Sequence, residues 1–324
     1  MSSVGKSNTV KQSNAVKVTV SKVIFEGVGV YINPLTDFGF KRIFGTEANK
    51  DLLIDFLNVV LNLEDGIKEL YYTNPEKQGR VKTDPKAVFD LHCVTRKGER
   101  ILIEMQKLSQ EYYKDRALYY ASFPIQEQGE KKKKWDYLLK PVYSVNVVNF
   151  KLDKARKTSK YTSYIQLTDI DTQEVFYDKL MFVYLELPRF TKKIAELETN
   201  VERWMYVLRN LPRLNDLPEV LRGQQCFRKL FEQAKIANMT KEELDEYQES
   251  LKNYRDMYLI EDQYKRKLAE KDKILATMQK TYQKTLMAER KAFTAEREAH
   301  QKALSENAEI KAKLAELERR YRLN

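Results

Sequence analysis

The feature that most constrains the fold of this sequence is a pair of short segments, 88–94 and 101–107, separated by a glycine-containing turn. Apolar and polar residues largely alternate in both, which is typical of β-strands with one buried and one polar face. Gly98 closes a three-residue loop, whose third position needs the positive φ that glycine tolerates. The sequence therefore predicts a β-hairpin. Its apolar side forms a core wall of Phe89, Leu91, Cys93, Ile101, Ile103 and Met105.

Two carboxylates are predicted to face each other on the polar side of this hairpin. Counting outward from the turn places Asp90 directly opposite Glu104, and paired residues have Cβ atoms about 4.5–5.5 Å apart. Gln106 follows on the same face, whereas Lys107 alternates to the opposite face and is not assigned the role of general base. Like charges opposite one another destabilise a sheet, so the pair favours a shared divalent cation. The alternative is an exposed polar face on which each acid pairs with an arginine.

This arrangement suits a hard cation such as Mg²⁺, which binds through one or two carboxylates and keeps several waters. Such an ion lowers the pKa of a bound water and polarises a phosphoryl group. The amide of Gln106 cannot act as a base, but it can orient a water or contact phosphate. His92 is two residues from Asp90 on the same predicted face, where a lone histidine more often has a structural or solvent-facing role.

Charge and cysteine content narrow the partner and the compartment. The formal net charge of +11 over 324 residues favours a polyanionic partner, although a membrane surface or simple solubility would also account for it. Cys93 and Cys226 can build neither a disulfide framework nor a zinc cluster. No apolar run reaches the length of a membrane span, and the first 25 residues do not form a signal-peptide core. We therefore expect a cytoplasmic protein without a membrane partner.

Several basic or aromatic segments are candidates for contact with nucleic acid. The segment 109–128 is predicted to be helical, with Arg116 able to reach a phosphate and tyrosine hydroxyls such as that of Tyr119 able to bind backbone phosphates. The alternatives are that Leu118, Tyr119 and Phe123 pack into the core and that Arg116 neutralises Asp90. Further basic runs are either phosphate contacts or solvated loops: Lys131, Lys132, Lys133, Lys134, Lys151, Lys154, Arg156, Lys157 and Lys160.

The rest of the chain is divided by its hydrophobic periodicity. The pattern predicts helices at 37–44, 49–61, 194–211 and 219–237, and strands at 142–150, 161–167 and 180–187, the first of them beside the hairpin. We expect a disordered basic arm over 1–27, an α/β core over 28–190, a helical subdomain over 191–239 and a long helix over 240–324.

The long helix is expected to begin at a capping box formed by Thr240 and Glu243. Two heptad series of mostly apolar residues run from it to the end of the chain: Leu244, Leu251, Tyr258, Leu286, Phe293, Leu314 and Tyr321, and Tyr247, Tyr254, Leu268, Leu275, Tyr282, Ala303, Ile310 and Leu317. This pattern favours a coiled coil that forms a homo-oligomer. Polar residues such as Asp272 and Asn307 interrupt the seam, so the alternative is a single solvated helix.

Short pieces spread along residues 31–264 carry a family resemblance. They are Asp37, Phe40, Lys41, Phe44, Val88, Phe89, Asp90, Ile103, Glu104, Met105, Gln106, Arg116, Tyr119, Tyr120, Glu186, Leu187, Pro188, Arg189, Phe190, Trp204, Thr240, Lys241, Glu242, Glu243 and Tyr247. In this order the chain resembles the bacterial PD-(D/E)XK nuclease family transposases, also called recombination-promoting nucleases. The resemblance leaves roughly the last 60 residues unexplained.

The resemblance implies a restriction-endonuclease-like α/β fold, with a mixed sheet flanked by helices. It also implies Mg²⁺-dependent cleavage of DNA, linked to recombination or mobile elements, with Mn²⁺ as a substitute metal. Asp90 and Glu104 would be the metal-binding acids, and Gln106 would occupy the place where many related nucleases carry lysine. Asp37, on the first helix, would be the acid that assists the metal site.

The same resemblance, with the basic and aromatic segments, makes Arg116, Lys41 and Tyr119 the expected nucleic-acid contacts. Two rival functions remain open at this point. One is a catalytically inactive nucleic-acid-binding protein, and the other is a scaffold whose working part is the coiled coil.

Overall fold

A computed structural model of the chain describes residues 29–74, 76–77, 87–88, 90–130, 136–153 and 158–322. Its α-helices are α1 (Asp37–Phe44), α2 (Lys50–Leu61), α3 (Tyr113–Glu130), α4 (Asn200–Asn210), α5 (Glu219–Arg222), α6 (Gln225–Gln233) and α7 (Lys241–Arg322). Its β-strands are β1 (Leu70–Tyr72), β2 (Glu76–Lys77), β3 (Ala87–Val88), β4 (Leu91–Thr95), β5 (Arg100–Gln106), β6 (Val142–Val148), β7 (Thr162–Thr168) and β8 (Val175–Glu186). The predicted arm over 1–27 and the basic residues at 131–134, 154, 156 and 157 lie outside the described residues.

Six strands form one mixed sheet in the order β1-β4-β5-β6-β8-β7. The central pairs β5–β6 and β6–β8 are parallel, and the pairs β1–β4, β4–β5 and β7–β8 are antiparallel. A parallel pair needs a crossover connection, and α3 lies in the connection between β5 and β6. This sheet confirms the predicted α/β class and the place of the 142–150 strand beside the hairpin.

Two hydrophobic cores cover the two faces of the sheet. The larger core contains Trp204 of α4, whose ring packs within 5.6 Å of the rings of Phe44, Phe56 and Phe227. The indole N–H, which would otherwise be a costly buried donor, donates to Asp55 Oδ1 at 2.8 Å. On the other face, α3 packs on the smaller core, which contains Leu102, Tyr113, Ala117, Ala121, Val142, Val148, Phe182 and Tyr184.

The turn of the hairpin forms as the sequence predicts. The N–H of Thr95 donates to the carbonyl of Glu99 at 3.0 Å, and the N–H of Gly98 donates back to the carbonyl of Thr95 at 2.8 Å. Gly98 has a φ of +85°, in the region that glycine adopts without a steric cost. β4 and β5 pair from Val94 opposite Arg100 to Leu91 opposite Ile103, where the pairing ends.

The prediction of one continuous strand over 88–94 is wrong. β3 ends at Val88 and pairs with β2 in a separate two-stranded sheet, while β4 begins only at Leu91. Asp90 therefore lies in a bend immediately before β4, and Phe89 lies outside the described residues. The partner strand ends at Gln106, one residue earlier than predicted, so strand alternation does not govern Lys107.

Local capping explains two further differences from the predicted elements. The helix predicted from 194 begins at Asn200, because the side chains of Thr199 and Glu202 form a capping box with each other's backbone N–H. The helix predicted over 219–237 is two helices, with Gly223 as the C-cap of α5. Other elements shift by a few residues: α3 begins at Tyr113 rather than at 109, and β8 begins at Val175 rather than at 180.

α7 begins at the predicted capping box, in which Thr240 and Glu243 exchange side-chain-to-backbone hydrogen bonds. The residues up to Tyr258 belong to one compact unit, and within it Tyr247 and Tyr254 are buried in the larger core. The residues from Leu259 form a second unit, a helical segment with exposed apolar side chains: Leu268, Leu275, Tyr282, Phe293, Ile310, Leu314 and Leu317. Among the described residues, no helix is both long enough and apolar enough to cross a membrane.

Candidate functional site

The carboxylate of Asp90 is tied to the strand that faces it. The backbone N–H of Met105 donates to Asp90 Oδ2 at 2.6 Å, which fixes the side chain against β5. Burial raises the pKa of Asp90, and the nearby charge of Asp37 raises it further. The hydrogen bond from Met105 and the positive charges of Lys107 and Lys41 oppose this increase. Asp90 is thus an acid held by the main chain in surroundings that disfavour its charge.

Glu104 is more buried than Asp90, with 9% of its surface exposed. Its Oε1 is buried and accepts no hydrogen bond from any described residue. Burial raises the pKa of Glu104, and repulsion by Asp90 adds to this effect, whereas Arg116 and the backbone N–H of Asp90 lower it. A buried carboxylate oxygen without a donor is costly, so a cation at this position would stabilise the folded chain.

Arg116 lies beside Glu104, with its Nη2 4.0 Å from Glu104 Oε2. The guanidinium donates to Gln106 Oε1 at 2.6 Å and to Gln110 Oε1 at 2.5 Å, and it stacks over the ring of Tyr113 at 5.2 Å. The amide of Gln106 also donates to the carbonyl of Leu108 at 3.1 Å. Gln106 thus holds Arg116 in place on the side of the sheet that α3 covers.

Asp37 and Lys41 of α1 lie on a cavity of about 940 Å³ that Asp90 and His92 also line. Asp37 and Lys41 form an ion pair at 3.1 Å, with both side chains more than half exposed. His92 is buried, with 1% of its surface exposed. The structure therefore brings the two α1 residues to the Asp90 side of the pair, while Gln106 and Arg116 lie on the Glu104 side.

Lys107 is a residue of this cavity that strand alternation excluded. It follows the last residue of β5, so its side chain is free of the alternation rule and lies near the charges of Asp37 and Asp90. Burial lowers the pKa of Lys107, and these two acids oppose that effect. The sequence signal that could have pointed to Lys107 is a charged residue directly after Gln106, at a position where the alternation expects an apolar one.

The start of α1, and with it Asp37, is fixed by close backbone packing. Thr36 caps the helix by accepting a hydrogen bond from the N–H of Gly39 at 3.0 Å. A Cβ on Gly39 would lie 2.1 Å from the carbonyl oxygen of Asn33, which is closer than real contacts permit. The N–H of Phe38 donates to Ser250 Oγ of α7 at 3.1 Å.

Tyr119 lies on α3, three residues beyond Arg116 and therefore on a neighbouring part of the helix surface. It is 44% exposed and packs edge-on against Phe123 at 5.1 Å. The alternative that Leu118 packs into the core is wrong, because Leu118 is 57% exposed.

Few metal-ligating side chains surround Asp90 and Glu104. Among the described residues, no group of three or more His, Cys, Asp or Glu side chains is placed to hold a metal ion. Asp90 and Glu104 with the unpartnered Oε1 fit an ion that takes two protein carboxylates and completes its shell with water, which is the usual behaviour of Mg²⁺.

The family model described as PD-(D/E)XK nuclease family transposase matches residues 34–263. The chain belongs to this family. The match runs from just before α1 into α7, so it includes every residue of the candidate site and leaves the rest of α7 outside. The PD-(D/E)XK family accounts for the mixed sheet with flanking helices. No curated protein and no solved structure matches this chain.

Proposed function

We propose that this PD-(D/E)XK family member is a Mg²⁺-dependent endonuclease that hydrolyses phosphodiester bonds of DNA in recombination or at mobile elements. The observation that carries the proposal is that Asp90 is held against β5 by Met105, its charge acts on Glu104 of the same strand, and Glu104 Oε1 is buried and unpartnered among the described residues. An acid pair that destabilises the fold by itself is expected where a bound cation compensates it. The positive net charge of the chain supports a nucleic-acid substrate.

Asp90 and Glu104 would hold the ion, and Mn²⁺ would substitute because it also prefers oxygen ligands. When bound, the ion supplies an activated water and stabilises the charge on the phosphoryl oxygens. The main-chain hydrogen bond from Met105 keeps Asp90 in place before the ion arrives.

The basic side chains around Asp90 and Glu104 have separate roles in this proposal. Arg116, held by Gln106 and Gln110, binds the phosphate with its planar guanidinium. Lys107 and Lys41 balance the acids of the cavity and attract the phosphate backbone, with Asp37 setting the position of Lys41 through their ion pair. Tyr119 extends this surface along α3.

Plasmid nicking with Mg²⁺ tests the assignment with the variants Asp90→Asn and Glu104→Gln. We expect each variant to lose at least about 100-fold in rate, because a lost ligand removes several kcal/mol of transition-state stabilisation. Glu99→Gln is the matched control, since it changes an acid of the same hairpin away from the pair. Cleavage that survives both site substitutions would reject the site.

Thermal unfolding separates a nuclease from an inactive nucleic-acid-binding protein. Mg²⁺ should raise the melting temperature of the wild type, since it binds the folded chain. It should leave that of Glu104→Gln unchanged. DNA binding without cleavage and without stabilisation by Mg²⁺ or Mn²⁺ would favour the inactive binding protein.

We also propose that the segment from Leu259 forms a coiled coil with a second copy of the chain. Its support is the exposed heptad of apolar side chains, which a solvated helix does not need. Sedimentation of the full chain should give an oligomer, and the double variant Leu275→Lys and Ile310→Lys should give a monomer. A monomeric wild type would reject the coiled coil and leave the single solvated helix.

A further inference from the structure

A second cavity, of about 230 Å³, adjoins a different face of α7 from the one that lines the larger cavity. Three arginines from three elements line it: Arg209 of α4, Arg213 of the 3₁₀ helix Leu211–Arg213, and Arg255 of α7. None of the described residues that line this arginine cavity is acidic. Three guanidinium groups around a small cavity without a lining acid are the arrangement that an anion requires.

Arg209 has a charge that no described residue compensates. It makes no hydrogen bond or ion pair with any residue that the structure describes, although it is half-buried. Burial lowers the pKa of Arg209, and the neighbouring charge of Arg213 lowers it further. In contrast, the buried guanidinium of Arg189 donates to Glu186 Oε2 at 2.8 Å. Arginines are mostly exposed or paired, so a half-buried Arg209 beside a like charge is suited to bind an anion.

The cavity is connected to the strand end that carries the candidate site. Asn149, which lines the cavity, follows β6, and its backbone N–H donates to the carbonyl of Gln106 at 2.9 Å. The side chain of Asn149 donates to the hydroxyl of Tyr258 at 2.5 Å, and that hydroxyl donates to the carbonyl of Lys107 at 3.3 Å. These hydrogen bonds connect the arginine cavity to Gln106, the last residue of β5, and to Lys107, which follows it.

We propose that the arginine cavity binds a phosphate group. The connection to Gln106 and Lys107 favours a phosphate of the nucleic-acid backbone as the ligand. This choice of ligand rests on the proposed function. Free inorganic phosphate is the alternative ligand, and its binding does not depend on that function. The planar guanidinium forks match the oxygens of a phosphate, and the small volume admits such a group rather than a whole nucleotide strand.

The test compares the full-length wild type with Arg209→Gln and with Arg209→Lys, which keeps the charge and removes the fork. Arg213→Gln is a second variant at an exposed position, so it keeps the test valid if Arg209→Gln does not fold. Arg222→Gln is the control, because it removes the same charge from an exposed arginine outside the cavity. Circular dichroism establishes that each variant is folded.

Binding of labelled duplex DNA is measured by fluorescence anisotropy without divalent metal, and inorganic phosphate is titrated by thermal unfolding at constant ionic strength. If the ligand is a backbone phosphate, Arg209→Gln and Arg213→Gln weaken DNA binding about tenfold, the control changes it less than twofold, and inorganic phosphate competes. If the ligand is free phosphate, phosphate raises the melting temperature of the wild type and not that of Arg209→Gln, while DNA affinity is unchanged.

The proposal is overturned if neither DNA affinity nor stabilisation by phosphate differs between the cavity variants and Arg222→Gln. It is also overturned if Arg222→Gln weakens DNA binding as much as the cavity variants, because the effect would then be one of net charge. Failure of the nuclease proposal would look different: the wild type would not cleave, while the phosphate titration would still separate the variants.

Discussion

Glu202 offers a sharp test of how one buried carboxylate stabilises this fold. It is 3% exposed and lies at the start of α4, where Lys192 forms an ion pair with it at 2.5 Å. The hydroxyl of Tyr161 donates to Glu202 Oε1 at 2.7 Å, and the backbone N–H groups of Glu198 and Thr199 donate to Oε2 at 2.7 and 3.0 Å. Both oxygens of the carboxylate are therefore engaged by donors.

These donors set the size and the sign of the expected effect. Burial alone would raise the pKa of Glu202, but the ion pair and the hydrogen bonds outweigh it and lower the pKa from 4.5 to about 2. At 1.36 kcal/mol per unit, and allowing for solvent around the partly exposed Lys192, the ionised carboxylate contributes about 2–3 kcal/mol. Because the pKa is lower in the folded chain, this contribution is present above about pH 4.5 and is lost as the pH falls towards 2.

Urea unfolding of Glu202→Gln and of the wild type measures this contribution. At pH 7 the variant should lose about 2–3 kcal/mol of unfolding free energy, since the amide keeps a similar shape without the charge. The difference should shrink between pH 4.5 and pH 3. Glu198→Gln is the control, because its side chain is largely exposed and 3.9 Å from Lys192. The reasoning fails if Glu202→Gln stays within about 0.5 kcal/mol of the wild type at pH 7.

The other predictions concern the candidate site and its support. Gly39→Ala should destabilise the chain by about 1–3 kcal/mol in thermal unfolding, because its Cβ would meet the Asn33 carbonyl. Gly223→Ala, which meets nothing within 4 Å, should be nearly neutral, and equal effects would contradict this account. Lys107→Met should slow plasmid cleavage at least about tenfold while keeping the melting temperature, and an unchanged rate would remove Lys107 from the site. Arg116→Lys should slow cleavage about 10- to 100-fold because it keeps the charge and loses the fork, and activity equal to the wild type would exclude bidentate phosphate binding.

The hairpin could be predicted from the sequence because its determinants are local. The alternation on both sides of Gly98 and the short loop predict the pairing of β4 with β5, which the structure has from Val94 opposite Arg100 to Leu91 opposite Ile103. The periodicity indicated a chain of both strands and helices, and the family resemblance implied the mixed sheet flanked by helices. The family resemblance added the roles of the acids, which spacing alone left open.

The parts that could not be predicted depend on contacts between distant segments. The bend at Asp90 forms where the chain leaves the two-stranded sheet for the main one, and no residue type marks it. The arginine cavity brings together Arg209, Arg213 and Arg255, of which the last is more than 40 residues away from the others in sequence. Such convergence follows from the packing of α4 and α7, which periodicity does not specify.

The register of the hairpin depends on the length of the turn at Gly98. Adding or removing one residue in this turn would shift the pairing of the two strands by one position. Each side chain of one strand would then point to the opposite face of the sheet. The same slip would move Glu104 away from Asp90 and would exchange the side chains that the strand packs into the two hydrophobic cores. We therefore expect an insertion or a deletion in this turn to be more damaging than a substitution, because it would disrupt the packing of the core and the candidate site together.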